Sequence, residues 1–197
     1  MKNLSGRRIA AHDGDGGFVV EVYFDDKGWQ VRYLVVDIGK PMPRREVLVP
    51  RAAIAAEQLR EDAIRVQLTR AQVEHCPEKQ SDPPVWLQHD LRREANYRKA
   101  AVSDPHLRSS AIVIGYGLQA LDGAIGHLED LLIERESWLV VQLAIDTRNW
   151  LPGRRVLIAP HAVRSIDWVA REMHLNLTRA QVRAAPAVAA NFAAMRY

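Results

Sequence analysis

One cysteine, Cys76, stands in a chain of 197 residues. A single thiol excludes an intramolecular disulfide and fits a reducing compartment. Long apolar runs are also missing: nothing approaches the roughly 18 apolar residues of a membrane span, and the Ala-rich stretch Ala184 to Ala190 is broken by Pro186. The opening residues Met1 to Arg8 lack the apolar centre of a signal peptide. These features predict a cytoplasmic protein with no membrane insertion. Charge of one sign is scarce, with 27 Lys and Arg against 24 Asp and Glu and a formal net charge of +3. Basic residues alternate with acids, as in Arg60-Glu61-Asp62-Ala63-Ile64-Arg65. That reads as a mixed solvated surface, whereas a nucleic-acid binder gathers its basic residues on one face.

Motifs that carry chemistry are equally sparse. The histidines are His12, His75, His89, His106, His127, His161 and His174, and no two have the spacing of a zinc site. Asp13-Gly14-Asp15-Gly16-Gly17 is similar to the start of a calcium loop, but the fifth and twelfth positions hold Gly17 and Phe24 in place of oxygen ligands. A tight turn is predicted there. Gly115-Tyr116-Gly117 lacks the third glycine of a dinucleotide site, and no phosphate-binding or Gly-x-Ser-x-Gly motif occurs. Asp37 and Asp146 each follow a strand and precede a loop, where Asp stabilises turns through its own backbone. No catalytic, cofactor-binding or metal-ligating residue is predicted. Arg44, Arg45, Arg154 and Arg155 are the candidates for contact with an anion or a partner.

What the chain does contain is a duplication. A shift of 109 residues aligns Trp29 with Trp138 and runs without a gap to Pro77 and Pro186, giving 16 identities over 49 positions. They include Asp37/Asp146, Arg45/Arg154 and the whole run Leu68–Val73/Leu177–Val182. The same register extends upstream through Gly6/Gly115, Asp13/Asp122, Gly14/Gly123 and Gly17/Gly126. Detecting such a repeat sets the architecture. It gives a first repeat over 1–78, a linker or strap over 79–110, a second repeat over 111–187 and a tail over 188–197.

Each repeat reads as strands. Phe18 to Phe24 is β-branched and aromatic, the turn Asp25-Asp26-Lys27-Gly28 follows, and Trp29 to Val36 returns as the second arm of a hairpin. A short strand Val47–Val49 or Val156–Ile158 comes next, then an alternating strand at Ala63–Leu68 or Met173–Leu177. In the repeated Leu-Thr-Arg-Ala-Gln-Val, Thr69 and Thr178 are placed as helix N-caps, with Gln72 and Gln181 completing capping boxes. Pro77 and Pro186 stop those helices. Trp29 and Trp138 are expected in the core. Residues Trp86–Glu94 form a helical or extended strap. Trp138-Leu139-Val140-Val141 is apolar on both faces, which predicts burial of Leu139 and Val141 under the other repeat or the Trp86–Leu91 strap, a self-association interface being the competing explanation.

These residues resemble the PRC-barrel family. The likeness lies in the apolar hairpin, the strands Val31–Asp37 and Val140–Asp146, the arginine-bearing loops before Val47 and Val156, and the closing Leu-Thr-Arg-Ala-Gln-Val with its proline. The second repeat fits better, through Asp122–Asp130 and Trp150-Leu151-Pro152-Gly153-Arg154-Arg155; Gly39-Lys40-Pro41-Met42-Pro43 replaces that loop in the first. The resemblance implies two tandem small β-barrels of about six strands with short helical segments. It also implies the behaviour of the family's photosynthetic reaction-centre H-subunit domain and of its ribosome-maturation domain, which bind macromolecules and catalyse nothing. The expected function is therefore a non-catalytic binding or assembly module with a protein partner, homo-oligomerisation being one form of it. RNA or ribosome association is one alternative, and a small-ligand carrier or enzyme with a site between the barrels is the other.

Overall fold

The computed structural model describes residues 4–39, 45–59, 63–93, 104–147 and 154–187. The expected tail at 188–197 lies outside them, as do Arg44 and the loop residues 40–44 and 148–153. The chain is mainly β and divides into two units. One holds residues 4–109 with the hairpin end Arg135–Trp138, and the other holds 110–134 and 139–187. No helix among the described residues is long and apolar enough to cross a membrane.

The first unit contains β1 (Arg8–Ala11), β2 (Gly14–Asp25), β3 (Val31–Asp37), β4 (Glu46–Pro50), β5 (Ile54–Leu59), β6 (Ala63–Val66) and α1 (Arg70–Glu74), then α2 (Val85–Arg93) and β7 (Leu107–Ser109). The second contains α3 (Ser110–Val113), β8 (Gly117–Ala120), β9 (Gly123–Ile133), β10 (Val140–Asp146), β11 (Arg155–Ile158), β12 (Val163–Asp167), β13 (Glu172–Leu175) and α4 (Arg179–Ala184). The first sheet has the order β4-β3-β2-β1-β6-β5 and the second β11-β10-β9-β8-β13-β12, so the two repeats share one strand order. In each, the opening strand pairs antiparallel with the long hairpin arm and parallel with the last strand. The order is an open path: no ladder joins β4 to β5, or β11 to β12, among the described residues. The units are six-stranded sheets and not the closed barrels expected. The first sheet gains a further strand from the linker, because β7 pairs antiparallel with the outer half of β2.

Local chemistry explains the matching elements. Thr69 and Thr178 cap α1 and α4, accepting the amides of Gln72 and Gln181 while those glutamine side chains accept the threonine amides. Both capping boxes are as read from the sequence. Each helix buries one valine, Val73 or Val182. Pro77 and Pro186 stop the helix and do more, since their carbonyls accept the amides of Leu48 and Leu157 at 2.8 and 3.0 Å. They thereby satisfy edge groups of β4 and β11 that no strand pairs. Gly17 (φ +107) and Gly126 (φ +130) are required: a Cβ on either would overlap the carbonyl oxygen of Asp37 or Asp146.

β1 with β8 and β5 with β12 are not marked by the sequence pattern; pairing with the rest of the sheet makes them strands. Two expectations change. The hairpin's return arm begins at Val31 and Val140, because Trp29 and Trp138 adopt left-handed φ of +54° and +58° and close the turn. A bulky residue there is uncommon, and Trp29 is held by stacking on Phe24 with ring centroids 5.6 Å apart. The strap at Trp86 is helical. Val141 is 39% exposed, against the burial expected, because β10 starts in alternation with Val140 inward and Val141 outward.

The glycine and capping constraints have separable costs. Gly126→Ala should lower stability by at least about 2 kcal/mol, through steric overlap added to backbone strain. Gly115→Ala has open space at φ +96 and should cost only about 1 kcal/mol. Thr178→Ala should cost about 1 kcal/mol. Equilibrium chemical denaturation of the three variants measures this ranking.

Candidate functional site

Three of the four candidate arginines lie among the described residues, and each uses its side chain within its own unit. Arg45 places Nε 3.5 Å from Glu78 Oε1. Its counterpart Arg154 donates from Nη2 to the Ala185 carbonyl at 3.0 Å. Both therefore reach the segment that leaves the capped helix. Arg155 pairs through Nε with Glu129 Oε2 at 2.9 Å. Arg45 and Arg155 keep 39% and 45% of their side chains exposed, and exposed pairs of this kind contribute little stability.

Other singled-out residues take structural roles. Asp13 Oδ1 accepts the amide of Arg70 at 2.6 Å, and Asp122 Oδ1 accepts that of Arg179 at 2.7 Å. Asp15 accepts the Gly17 amide and pairs with Arg8, contacts that hold its carboxyl below the usual range, the backbone bond most strongly. The Asp-Gly segment is thus the turn expected. Asp37 Oδ1 accepts the amide of Gly39 in the predicted turn. Asp146 differs, being 1% exposed with His127 Nε2 3.9 Å from its Oδ2. Cys76 is buried, and burial pushes its thiol up, away from the reactive thiolate.

The arrangement richest in charge is one the sequence reading did not assemble. β2 carries Glu21 inside the apolar run Phe18–Phe24, and that carboxylate is only 4% exposed. Lys79 from the linker places Nζ 2.8 Å from Glu21 Oε1 and 2.9 Å from Glu46 Oε2 of β4. Ser109 of β7 donates to the other oxygen of Glu21. Beside this tie lies a separate cluster of Tyr23, Val35, Leu48 and Leu107, with Tyr33 packed against it. The β2–β3–β4 region is accordingly buried on both faces, which is why its strands read as nearly continuous apolar runs.

Electrostatics follow from this burial. Desolvation pulls Lys79 down, but its hydrogen bonds to Glu21 and Glu46 outweigh it and hold the ammonium above its ordinary 10.5. Burial, with Glu21, Glu46 and Asp82 nearby, pushes the Tyr23 phenol up. Its hydroxyl has no hydrogen-bond partner among the described residues. Burial and a hydrogen bond with Asp82 raise Tyr33. At the hairpin end, Asp26 accepts from both His106 Nδ1 and Arg108 Nε. Arg32 lies 3.3 Å from Asp25 and 3.9 Å from Asp104.

Chemically, two carboxylates share one cation and close the linker onto the sheet. The available signal was the acid inside Phe18–Phe24, matched by Asp130 in the other repeat; its partners, 58 and 88 positions away at Lys79 and Ser109, had none. Among the described residues no three His, Cys, Asp or Glu side chains gather as a metal-ligand set. No protein-family model matches the chain, and no curated protein sequence matches it significantly.

Lys79→Met leaves the buried carboxylate of Glu21 without its cation and should cost about 3 kcal/mol at neutral pH. Because Lys79 is raised on folding, its contribution is complete below 10.5 and is lost as pH rises through the higher folded value. The stability gap between wild type and variant should therefore be flat through neutrality and narrow as pH rises into strong alkali, as followed by urea denaturation across pH.

Proposed function

We propose that this chain is a non-catalytic assembly module of the PRC-barrel type, acting through protein–protein contacts. One observation carries the reading: the identical residues of the two repeats are engaged in scaffold contacts. Gly17 and Gly126 pass under a carbonyl, Asp13 and Asp122 hold the start of a helix, the threonines and glutamines form capping boxes, and the prolines satisfy a strand edge. What was duplicated and kept is a framework for presenting surfaces. The surfaces themselves differ between repeats, as expected of a module that meets a partner asymmetrically.

Charge distribution favours protein over nucleic acid. Residues 1–78 contain 12 Lys and Arg against 12 Asp and Glu, and residues 111–187 contain eight against eight. Neither repeat offers the basic excess that phosphate binding draws on. Within this reading Arg45 and Arg155 each border a contact surface of their own unit, where their exposed intramolecular pairs are exchanged for partner carboxylates at little cost.

Capture from a lysate of the source organism tests the assignment. Partner capture should survive nuclease treatment and weaken on Arg45→Ala with Arg155→Ala. Capture abolished by nuclease, with affinity falling log-linearly in salt, overturns it in favour of RNA or ribosome association.

A further inference from the structure

We propose that the outer face of the first sheet around Phe18 is where the first unit meets its partner, and that it fits a segment carrying an apolar side chain beside carboxylates. The surface rests on the assembly reading and gives its partner a chemistry. Strand ladders fix the face. Phe18 of β2 stands opposite Asp37 of β3 on one side and Arg8 of β1 on the other. Arg8 in turn stands opposite Ala63 of β6, and two positions along these strands Ala10 stands opposite Arg65. Residues opposite one another share a face of a sheet. The alternate positions Ile9, Val19 and Ile64 are buried, so this row points away from the core.

Phe18 is 48% exposed on that face. Of the other exposed large apolar side chains among the described residues, Leu121 and Val169 lie in turns and Val141 at a bulge. Phe18 instead sits inside the sheet, held on both sides by ladders. The scaffold does not require it, because the second repeat has His127 there. Ala10 and Ala63 leave low ground beside the ring, bordered by Arg8 and Arg65. Arg8 pairs with Asp15, an exposed pair that exchanges at little cost. Arg65 is exposed, and its guanidinium has no ion pair among the described residues. A partner's apolar side chain therefore packs on Phe18 and the alanines, while its carboxylates take Arg65 and Arg8. Aromatic residues and arginine are the types enriched at such contacts. Nucleic acid suits the face poorly: a phosphate chain draws on a continuous basic track, and Asp37 interrupts it. The row runs on from Asp37 to Glu46, next to Arg45, which joins this face to the border already assigned. In the second repeat Gly117, Gln119, Glu172 and His174 replace Arg8, Ala10, Ala63 and Arg65, so the surface belongs to the first unit alone.

Amide NMR spectra of the full chain, titrated with a synthetic peptide, test this. The probe is the acetylated, amidated pentapeptide leucine-serine-glutamate-serine-glutamate, which when extended puts its leucine and both glutamates on one face. Its addition should shift the amides of Arg8, Phe18 and Arg65, and the same peptide with lysine for glutamate should leave them in place. Phe18→Ala combined with Arg65→Glu should weaken binding by about tenfold or more, with the remaining amide spectrum unchanged as proof of folding. No shift, shifts confined to other residues, or equal binding by the variant overturns the proposal, as does a response to oligouridylate that the acidic peptide lacks. Capture from lysate separates the two readings. A partner that survives nuclease but is retained equally by the double variant overturns this surface and leaves the assembly module standing; capture abolished by nuclease overturns both.

Discussion

Each unit depends on a carboxylate that bridges its beginning and its end. Asp13 accepts the amide of Arg70, and Asp122 that of Arg179, both across 57 positions of chain. The first amides of a helix have no partner inside it, and helices of five and six residues have little internal cooperativity to stabilise them. The aspartate supplies one missing acceptor and the capping threonine another. The same junction carries the His12 and Leu121 amides onto the Leu68 and Leu177 carbonyls, each at 2.9 Å. It thus sets the parallel pairing of first strand with last, on which the strand order rests.

Around that junction the two repeats have kept their backbone and exchanged their outer faces. Where the first has Glu21, Tyr23, Tyr33, Val35 and Glu46, the second has Asp130, Leu132, Gln142, Ala144 and Arg155. The buried acid persists, but the charge at the start of the edge strand, β4 or β11, has changed sign. In the first unit Glu46 needs a cation and takes Lys79; in the second Arg155 needs an anion and takes Glu129. Charge is balanced locally in both; at half-buried Glu46 an uncompensated charge would be costly, whereas Arg155 is exposed and its pair contributes little. Divergence under that constraint yields two surfaces of different character on one scaffold.

The linker shows how a charge pair acts on specificity of position more than on stability. The backbone ladder between β7 and β2 sets Leu107 over the cluster of Tyr23, Val35 and Leu48. The shared ammonium of Lys79 and the paired acceptors of Asp26 reinforce that register, since burial penalises any arrangement that separates them.

The repeat, the hairpin, the capping boxes and the mainly β character could be read from residues, because each rests on local chemistry: alternation, turn-forming residues, and a hydroxyl three positions from a glutamine. Tertiary structure decided the rest. β1 and β8 are strands because parallel partners complete their hydrogen bonds, and nothing in Arg-Ile-Ala-Ala states that. The sheets stay open where the resemblance implied closed barrels, since closure is a property of edges meeting in space. Trp29 and Trp138 sit in left-handed turns that stacking or burial must hold. Glu21 is an acid among apolar neighbours in the sequence, yet its meaning requires Lys79 and Ser109, which only the folded chain brings within hydrogen-bonding distance.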